Sequence, residues 1–141
     1  MWLTCHLTAN KMFQLKNISD YSADDFSLCT TTQSRLILIS STDRTFEIQE
    51  RSRMQEQRFE SALVYVKDMK AVFAIGGINL NEMKTTAVHD LETNSWKTML
   101  QSLNNARAHA SACVVGHHIY VVGGGPGLER IHVSGLKDSE K

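Results

Sequence analysis

Short apolar runs, rich in β-branched residues, alternate with polar turn residues through the middle of the chain. Four of these runs predict strands, at 61–66, 71–75, 111–115 and 118–122. Short polar segments at 67–70 and 116–117 separate the members of each pair, so the pattern predicts two β-hairpins of the same design. The single proline and the scarcity of long amphipathic helical stretches favour strands throughout.

Each predicted hairpin ends in a pair of glycines and follows an arginine. The pairs are Gly76-Gly77 after Arg58, and Gly123-Gly124 after Arg107. The first glycines are 123 − 76 = 47 residues apart. Repeats of about 20 to 50 residues are typical of solenoids, propellers and arrays. The chain is therefore expected to be built from repeats.

The segment between the two copies predicts the rest of one repeat. A polar loop over 78–84 leads to a third strand over 85–90, a turn over 91–95 and a fourth strand over 96–99. The next unit begins near Arg107. One repeat is thus predicted to form one four-stranded antiparallel sheet.

A degenerate earlier copy is predicted upstream. Aligning residues 27–41 on 111–124 with one inserted residue matches Cys29 to Cys113 and Leu36 to Ile119. Ser40-Ser41 then stand where the glycines would be, and residues 46–50 serve as the third strand. A rival alignment pairs Phe46 with Trp96; the first is favoured because it also accounts for Cys29.

These residues resemble the kelch repeat. The matching segments are an Ile-Gly-Gly at 75–77, a His-Asp-Leu-Glu-Thr-Asn-Ser-Trp at 89–96, Leu103 before Arg107, and Ile-Tyr-Val-Val-Gly-Gly at 119–124. The chain departs from the family pattern at His89, where the family usually has tyrosine, and at the serines of the first copy. The resemblance implies an all-β fold: a partial kelch-type β-propeller of about two four-stranded antiparallel blades, the first copy degenerate.

The expected organisation has three parts. Kelch repeats are expected over 27–133, divided into a degenerate copy at 27–57, a full repeat at 58–106 and a partial repeat at 107–133. Residues 1–26 are unassigned and residues 134–141 form a polar tail. Family propellers close with several blades of about 50 residues each. The sequence is thus interpreted first as a fragment; self-association to complete a ring and an open array are the alternatives.

The resemblance also assigns roles to residues. Structural roles in the repeat fall on Arg58, Gly76, Gly77, Trp96, Arg107, Gly123 and Gly124. Partner-binding residues are expected in the loops after the glycine pairs and two positions beyond each arginine. The preferred candidates are Glu60, Asn79, Asn81, His109 and Pro126. Ile78 and Gly125 lie in the same loops and are further candidates. The alternative for each is a solvated loop residue that makes no contact.

Function is implied only by the resemblance. Kelch domains mostly bind proteins, and many recruit substrates to cullin-based ubiquitin ligases, although no segment here reads as a BTB domain. The expected function is a non-catalytic protein-interaction module, part of a substrate-recognition subunit. A cytoskeletal, actin-associated or scaffolding kelch protein is the alternative. A copper oxidase built on such blades would need converging tyrosine, histidine and cysteine ligands, of which Tyr120 gives no sign.

Composition indicates which partners and which cellular location to expect. Fifteen basic residues balance fifteen acidic ones with no basic cluster, so no nucleic-acid partner is expected. Charged residues interrupt every apolar run before it reaches the roughly 18 residues that a membrane span needs, so no membrane-spanning segment is expected. No signal peptide is recognised at the N-terminus. The three cysteines form no C-x-x-C pair, which favours a reducing, cytoplasmic location.

No cofactor is expected either. Motifs for phosphate binding and for hydrolases are absent from the sequence. His109, Cys113, His117 and His118 suggest a metal site, but His109 and Cys113 would lie about 13 Å apart along one strand at about 3.3 Å per residue. Because Cys113 aligns with Cys29, it is expected to pack in a buried repeat position.

Overall fold

The computed structural model describes residues 3–6, 12–15, 27–30, 34–42, 45–99 and 103–133. These residues form an all-β chain whose strands pair antiparallel in sheets of two to four strands. Successive small antiparallel sheets are the arrangement of a partial β-propeller, and no barrel closes among the described strands. The chain divides into two compact units, Met1–Glu56 and Gln57–Lys141. The predicted tail at 134–141 and most of residues 1–26 lie outside the described residues.

The described residues of the first unit form two sheets. Strands β1 (Leu3–His6) and β2 (Met12–Leu15) form a two-stranded sheet. Strands β3 (Ser27–Thr30), β4 (Arg35–Thr42) and β5 (Thr45–Arg53) form a three-stranded sheet in that order. The side chains at 36–39 on β4 are all buried, as expected for a central strand covered on both faces.

Strand register in the first unit agrees with the favoured alignment of the degenerate copy. Cys29 pairs with Ile37 on β4, just as Cys113 pairs with Tyr120 in the second unit. The strand predicted at 46–50 lies within β5 and pairs with β4, whereas the rival alignment would make Phe46 part of a fourth strand. Strand β4 runs on through Ser40 and Ser41, which pair with Glu47 and Phe46 on β5.

The second unit begins with a four-stranded sheet. Its strands are β6 (Ala62–Val66), β7 (Ala71–Ile75), β10 (Thr86–Asp90) and β11 (Ser95–Thr98), in the spatial order β11-β10-β7-β6. A 3₁₀ turn at Lys67–Met69 and a left-handed Lys70 join β6 to β7. Each strand lies within one residue of its predicted bounds. The turn after β10 covers residues 91–94.

The predicted polar loop at 78–84 contains structure that the sequence pattern does not reveal. Strands β8 (Ile78–Asn79) and β9 (Asn81–Glu82) form a minimal hairpin there. Ile78 also bridges to Phe59, with backbone hydrogen bonds of 2.9 Å and 2.7 Å in the two directions. The loop is therefore an ordered hairpin attached to the segment before β6.

A three-stranded C-terminal sheet follows in the described part of the second unit. It contains β12 (Ser111–Val115), β13 (His118–Val122) and β14 (Glu129–His132) in that order. The bounds of β12 and β13 are those predicted. The repeat at 58–106 thus forms a four-stranded sheet, as predicted. The described part of the next repeat forms a three-stranded sheet.

The core of the second unit lies between these two sheets. Alternation along β6 and β7 places Ala62, Phe73 and Ile75 on one face of the four-stranded sheet. That face packs against Ile119, Val121 and Ile131, and all six side chains are buried.

Cys113 lies on the opposite face of the C-terminal sheet and is exposed. The expectation that it packs in a buried position is therefore wrong, because only one face of this sheet is covered by the four-stranded sheet. The side chain of Cys29 lies outside the described ones. No helix in the described residues is long and apolar enough to cross a membrane.

Candidate functional site

Four connecting segments meet at one end of the second unit, which we call the loop end. They are residues 58–61, 76–85, 103–110 and 123–128. They meet because β6 begins, β7 ends and β10 begins at the same level: Ile75 pairs with both Ala62 and Thr86. All of the residues predicted to bind a partner lie in these segments.

Arg58 holds the first set of loops together. Its side chain is buried, and Nη1 donates hydrogen bonds to the carbonyl oxygens of Ala74, Gly76 and Thr85 at 3.3, 3.0 and 2.8 Å. Nη2 donates to Thr85 Oγ1 at 3.0 Å. A planar guanidinium can satisfy several carbonyls at once, so one side chain ties the end of β7 to the start of β10.

Arg107 does the same in the second copy. It is fully buried, and Nη1 donates to the carbonyl oxygens of Gly123 and Gly127 at 3.0 and 3.2 Å. Nη2 donates to Pro126 O at 2.8 Å. Since Arg58 contacts Gly76 O and Arg107 contacts Gly123 O, the two arginines occupy equivalent positions in the two copies.

Glu129 neutralises Arg107 inside the loop end. Its Oε1 accepts from Arg107 Nη2 at 2.8 Å, and its two oxygens accept from the backbone N–H groups of Asn104 and Asn105 at 2.7 and 3.0 Å. Burial on its own raises the pKa of Glu129. The two backbone donors and the guanidinium outweigh burial and lower the pKa below its ordinary value.

The glycines are required by close backbone approach. Gly77 has a φ of 107°, and a Cβ there would lie 2.7 Å from the carbonyl oxygen of Phe59, the residue after Arg58. A Cβ on Gly124 would likewise overlap the carbonyl oxygen of Ala108, the residue after Arg107. The two copies thus share this contact also, and it explains why a glycine stands at the second position of each pair.

The first glycine of each pair distinguishes the copies. A Cβ on Gly76 would meet the carbonyl oxygen of Arg107, while a Cβ on Gly123 would meet nothing within 4 Å. The second copy docks on the first at this point: Gly77 N–H donates to Arg107 O at 2.8 Å, and Arg107 N–H donates to Met83 O at 3.2 Å. The glycine pair of the first copy is buried and that of the second is exposed.

This docking brings two predicted binding residues together. Glu60 and His109 each lie two positions beyond an arginine, and His109 N–H donates to Glu60 O at 3.0 Å. Their side chains also approach, with His109 Nδ1 at 3.5 Å from Glu60 Oε2. His109 is 67% exposed in its side chain, so it lies at the surface and is not a core histidine.

The hairpin β8–β9 carries two more of the preferred binding residues, Asn79 and Asn81, and one residue that the sequence analysis missed. Asn79 is half-buried and Asn81 is exposed, and they pair with each other across the hairpin. Leu80 lies between them at the tip, is 97% exposed, and has a φ of 62°. An apolar residue inside a polar loop after a glycine pair is the signal that could have identified it.

Three residues at this surface have a left-handed backbone conformation. Glu60, Leu80 and His109 are non-glycine residues with φ values of 53°, 62° and 56°. Such conformations cost about 1 kcal/mol or more each and tend to occur at functional sites. All three are at least partly accessible, and the hairpin is held to its neighbour by the bridge between Phe59 and Ile78.

The remaining predicted binding residues lie in the last of the four loop-end segments. Gly125 and Pro126 are exposed in the loop before β14, where Pro126 O accepts from Arg107. Trp96 is buried on β11 and contacts the ring of His89 edge-on, with centroids 4.9 Å apart. Among the described side chains, no three or more His, Cys, Asp or Glu residues lie close enough to hold a metal ion.

Comparison with known proteins supports the fold alone. No family model matches the sequence. No curated protein matches it significantly. A solved structure described as "Structure of YjhT" matches with a TM-score of 0.57 and 15% identity, over 64% of this chain and 28% of that chain. The chain thus corresponds to less than a third of the length of YjhT.

Proposed function

We propose that the chain is a protein-interaction module of the kelch type that binds its partner through the loop end. Two features support a kelch-type repeat: the equivalent hydrogen bonds of Arg58 and Arg107, and the equivalent close approaches at Gly77 and Gly124. Sheets of this kind act as scaffolds, and binding residues are concentrated in the loops at one end.

The presentation of Leu80 is the observation that carries the proposal. A leucine side chain exposed at 97% forfeits the roughly 1.5–3 kcal/mol that burial would contribute. Leu80 is nevertheless held in place, because Met83 N–H donates to Gly77 O at 2.8 Å and Phe59 bridges to Ile78. A preorganised apolar side chain loses little entropy on binding and suits insertion into an apolar pocket of a partner.

Polar groups around Leu80 would give the contact its specificity. Asn81 and Glu82 are exposed beside it, and the Glu60–His109 pair lies on the neighbouring segments of the loop end. We propose a protein partner with an apolar pocket bordered by hydrogen-bonding groups. The biological role proposed for this binding is substrate recognition for a cullin-based ubiquitin ligase, as the resemblance implies; an actin-associated or scaffolding role is the alternative.

Affinity capture with matched variants tests the binding. The tagged chain, Leu80→Ser and Ile48→Ser are expressed in cells, and captured proteins are quantified by mass spectrometry. Ile48 is the control because it is also a large aliphatic side chain, 65% exposed, but lies on β5 in the other unit. Partners of the loop end are expected to decrease about tenfold with Leu80→Ser, which corresponds to loss of about 1.4 kcal/mol, and to remain with Ile48→Ser.

Two results would count against the proposal. Equal loss of partners with both variants would indicate nonspecific apolar adhesion, and an unchanged set with Leu80→Ser would remove the loop end from the interface. The ligase role is tested separately by asking whether a cullin scaffold copurifies with the wild-type chain or its captured partners. Recovery of actin filaments instead, in a co-sedimentation assay, would favour the cytoskeletal alternative.

A further inference from the structure

The two arms of the hairpin β8–β9 are attached to different copies of the repeat. The first arm is attached to its own copy, because Ile78 and Phe59 exchange backbone hydrogen bonds in both directions. The second arm runs into Met83, whose carbonyl oxygen accepts from the N–H of Arg107 in the next copy at 3.2 Å. Leu80, at the tip, is therefore carried by a hairpin that spans the junction between the copies.

A closed ring of three backbone hydrogen bonds forms this junction. Gly77 N–H donates to Arg107 O at 2.8 Å, Arg107 N–H donates to Met83 O at 3.2 Å, and Met83 N–H donates to Gly77 O at 2.8 Å. All three residues are buried. Moving Arg107 away would take the acceptor from Gly77 N–H and the donor from Met83 O, and buried backbone groups without partners are strongly disfavoured. The second copy thus fixes the base of the hairpin.

The hairpin has little stability of its own. Its strands have two residues each and are joined by Leu80 alone, and an isolated two-stranded hairpin is marginally stable at best in water. The Leu80 side chain is 97% exposed and adds no burial, and its left-handed backbone, with a φ of 62°, is itself unfavourable. The order of the tip must therefore come from the base of the hairpin.

One buried carboxylate holds the docked segment at 104–107 in place. Glu129 accepts from the N–H groups of Asn104 and Asn105 at 2.7 and 3.0 Å. It also accepts from Arg107 Nη2 at 2.8 Å. Hydrogen bonds to an ionised acceptor are the stronger class, so this side chain on β14 fixes the segment that in turn fixes Met83.

Residues on both sides of the docked segment also bind the first copy. Leu103 N–H donates to Lys84 O at 2.8 Å on one side. On the other side, His109 N–H donates to Glu60 O at 3.0 Å. The contacts therefore run without interruption from Glu129, through the docked segment, to the base of the hairpin.

We propose that Glu129 is a positioning residue for Leu80, so that the two copies act as one binding unit. By holding the docked segment, Glu129 keeps the second arm of the hairpin in the geometry that presents Leu80, and a contact that is ordered in advance loses less entropy on binding. The Glu129 side chain is only 8% exposed, so it acts through the segment 104–107 and not by touching the partner. Since Leu80 is the contact proposed for the loop end, this role rests on that proposed function.

Amide hydrogen exchange in the free wild-type chain tests the positioning without any partner. The exchange rates of the Gly77, Met83, Leu103 and Arg107 amides are measured by NMR at increasing low concentrations of urea. All four are expected to open in one step, with the same dependence on urea, because they belong to one docked unit. Protection of Met83 that persists while Gly77 and Arg107 exchange would show that the base of the hairpin does not need the second copy, and would overturn the proposal.

Matched variants connect the positioning to binding. Glu129→Gln replaces one acceptor oxygen by a donor NH₂ group, whereas Val66→Ala weakens the core at the other end of the four-stranded sheet. Relative to the amides of β7, exchange of Gly77 and Met83 is expected to be about fivefold faster in Glu129→Gln than in wild type, and unchanged in Val66→Ala. Capture of the proteins that are lost with Leu80→Ser is expected to fall about fivefold with Glu129→Gln only.

Equal effects of the two variants, on these amides or on capture, would leave Glu129 a general structural role and overturn the proposal. That outcome differs from failure of the loop-end function, which is seen when Leu80→Ser itself leaves every captured protein unchanged. The second outcome would refute the binding function and the positioning role together.

Discussion

Replacing Gly76 by alanine is expected to destabilise the second unit far more than the same change at Gly116. The two glycines have nearly the same backbone conformation, with φ values of 63° and 59°. They differ in surroundings: a Cβ on Gly76 would overlap the carbonyl oxygen of Arg107, while a Cβ on Gly116 would meet nothing within 4 Å. Gly116→Ala therefore isolates the cost of the left-handed conformation.

The magnitude follows from the contacts at Gly76. The left-handed conformation costs both variants about 1–2 kcal/mol. In Gly76→Ala, Arg107 O must also move away, although it accepts from Gly77 N–H at 2.8 Å and the N–H of Arg107 is tied to Met83 O. Leaving the buried Gly77 N–H without its acceptor costs about 1–3 kcal/mol more. We expect Gly76→Ala to lower the free energy of unfolding by about 2–5 kcal/mol in all, the sum of these two costs.

Urea unfolding followed by tryptophan fluorescence measures the difference. The chain has two tryptophans, Trp2 and Trp96, so a Trp2→Phe background leaves Trp96 on β11 as the reporter of the second unit. The free energy of unfolding should differ between Gly76→Ala and Gly116→Ala by about 2 kcal/mol. Equal losses in the two variants would show that the second copy does not dock on Gly76, and would refute the reasoning.

Three further predictions concern the buried and exposed charges. Arg58→Met should lower the free energy of unfolding by about 3 kcal/mol or more in the same assay, because the carbonyl oxygens of Gly76 and Thr85 lose a buried donor, and Arg58→Lys should rescue only part of it. Folding lowers the pKa of Glu129, so the ionised carboxylate stabilises the fold at pH values above its ordinary pKa of 4.5. This stabilisation is lost as the pH falls through the pKa of the folded state. The difference in urea midpoint between wild type and Glu129→Gln should therefore shrink from pH 7 to pH 3. An NMR titration should find the pKa of His118 below 6.5, and Arg130→Gln should raise it; a value at or above 6.5 would contradict the described surroundings.

The strands were predictable from sequence because their signals are local. The run at 71–75 is continuously apolar and is bounded by a charged turn and a glycine pair, so its ends are marked in the chain itself. The hairpin β8–β9 was not predictable in this way. Its residues are mostly polar, and its order depends on the bridge to Phe59, a residue that precedes β6.

Burial was harder to predict than strand position. Alternation assigns Cys113 to one face of β12, but it cannot say whether another sheet covers that face. The residues of the loop end were partly predictable: the resemblance to the kelch repeat implied that Glu60 and His109, each two positions beyond an arginine, would lie there. Their meeting at 3.5 Å results from the docking of the second copy on the first, and the exposure of Leu80 results from the hairpin.

Hydrogen–deuterium exchange of the chain, alone and with a captured partner bound, tests the central claim that the loop end is the binding surface. Slower exchange on binding is expected in residues 58–61, 76–85 and 103–110, with no change in the turn at 91–94 at the other end of the four-stranded sheet. Protection confined to that turn, or equal protection at both ends, would contradict it.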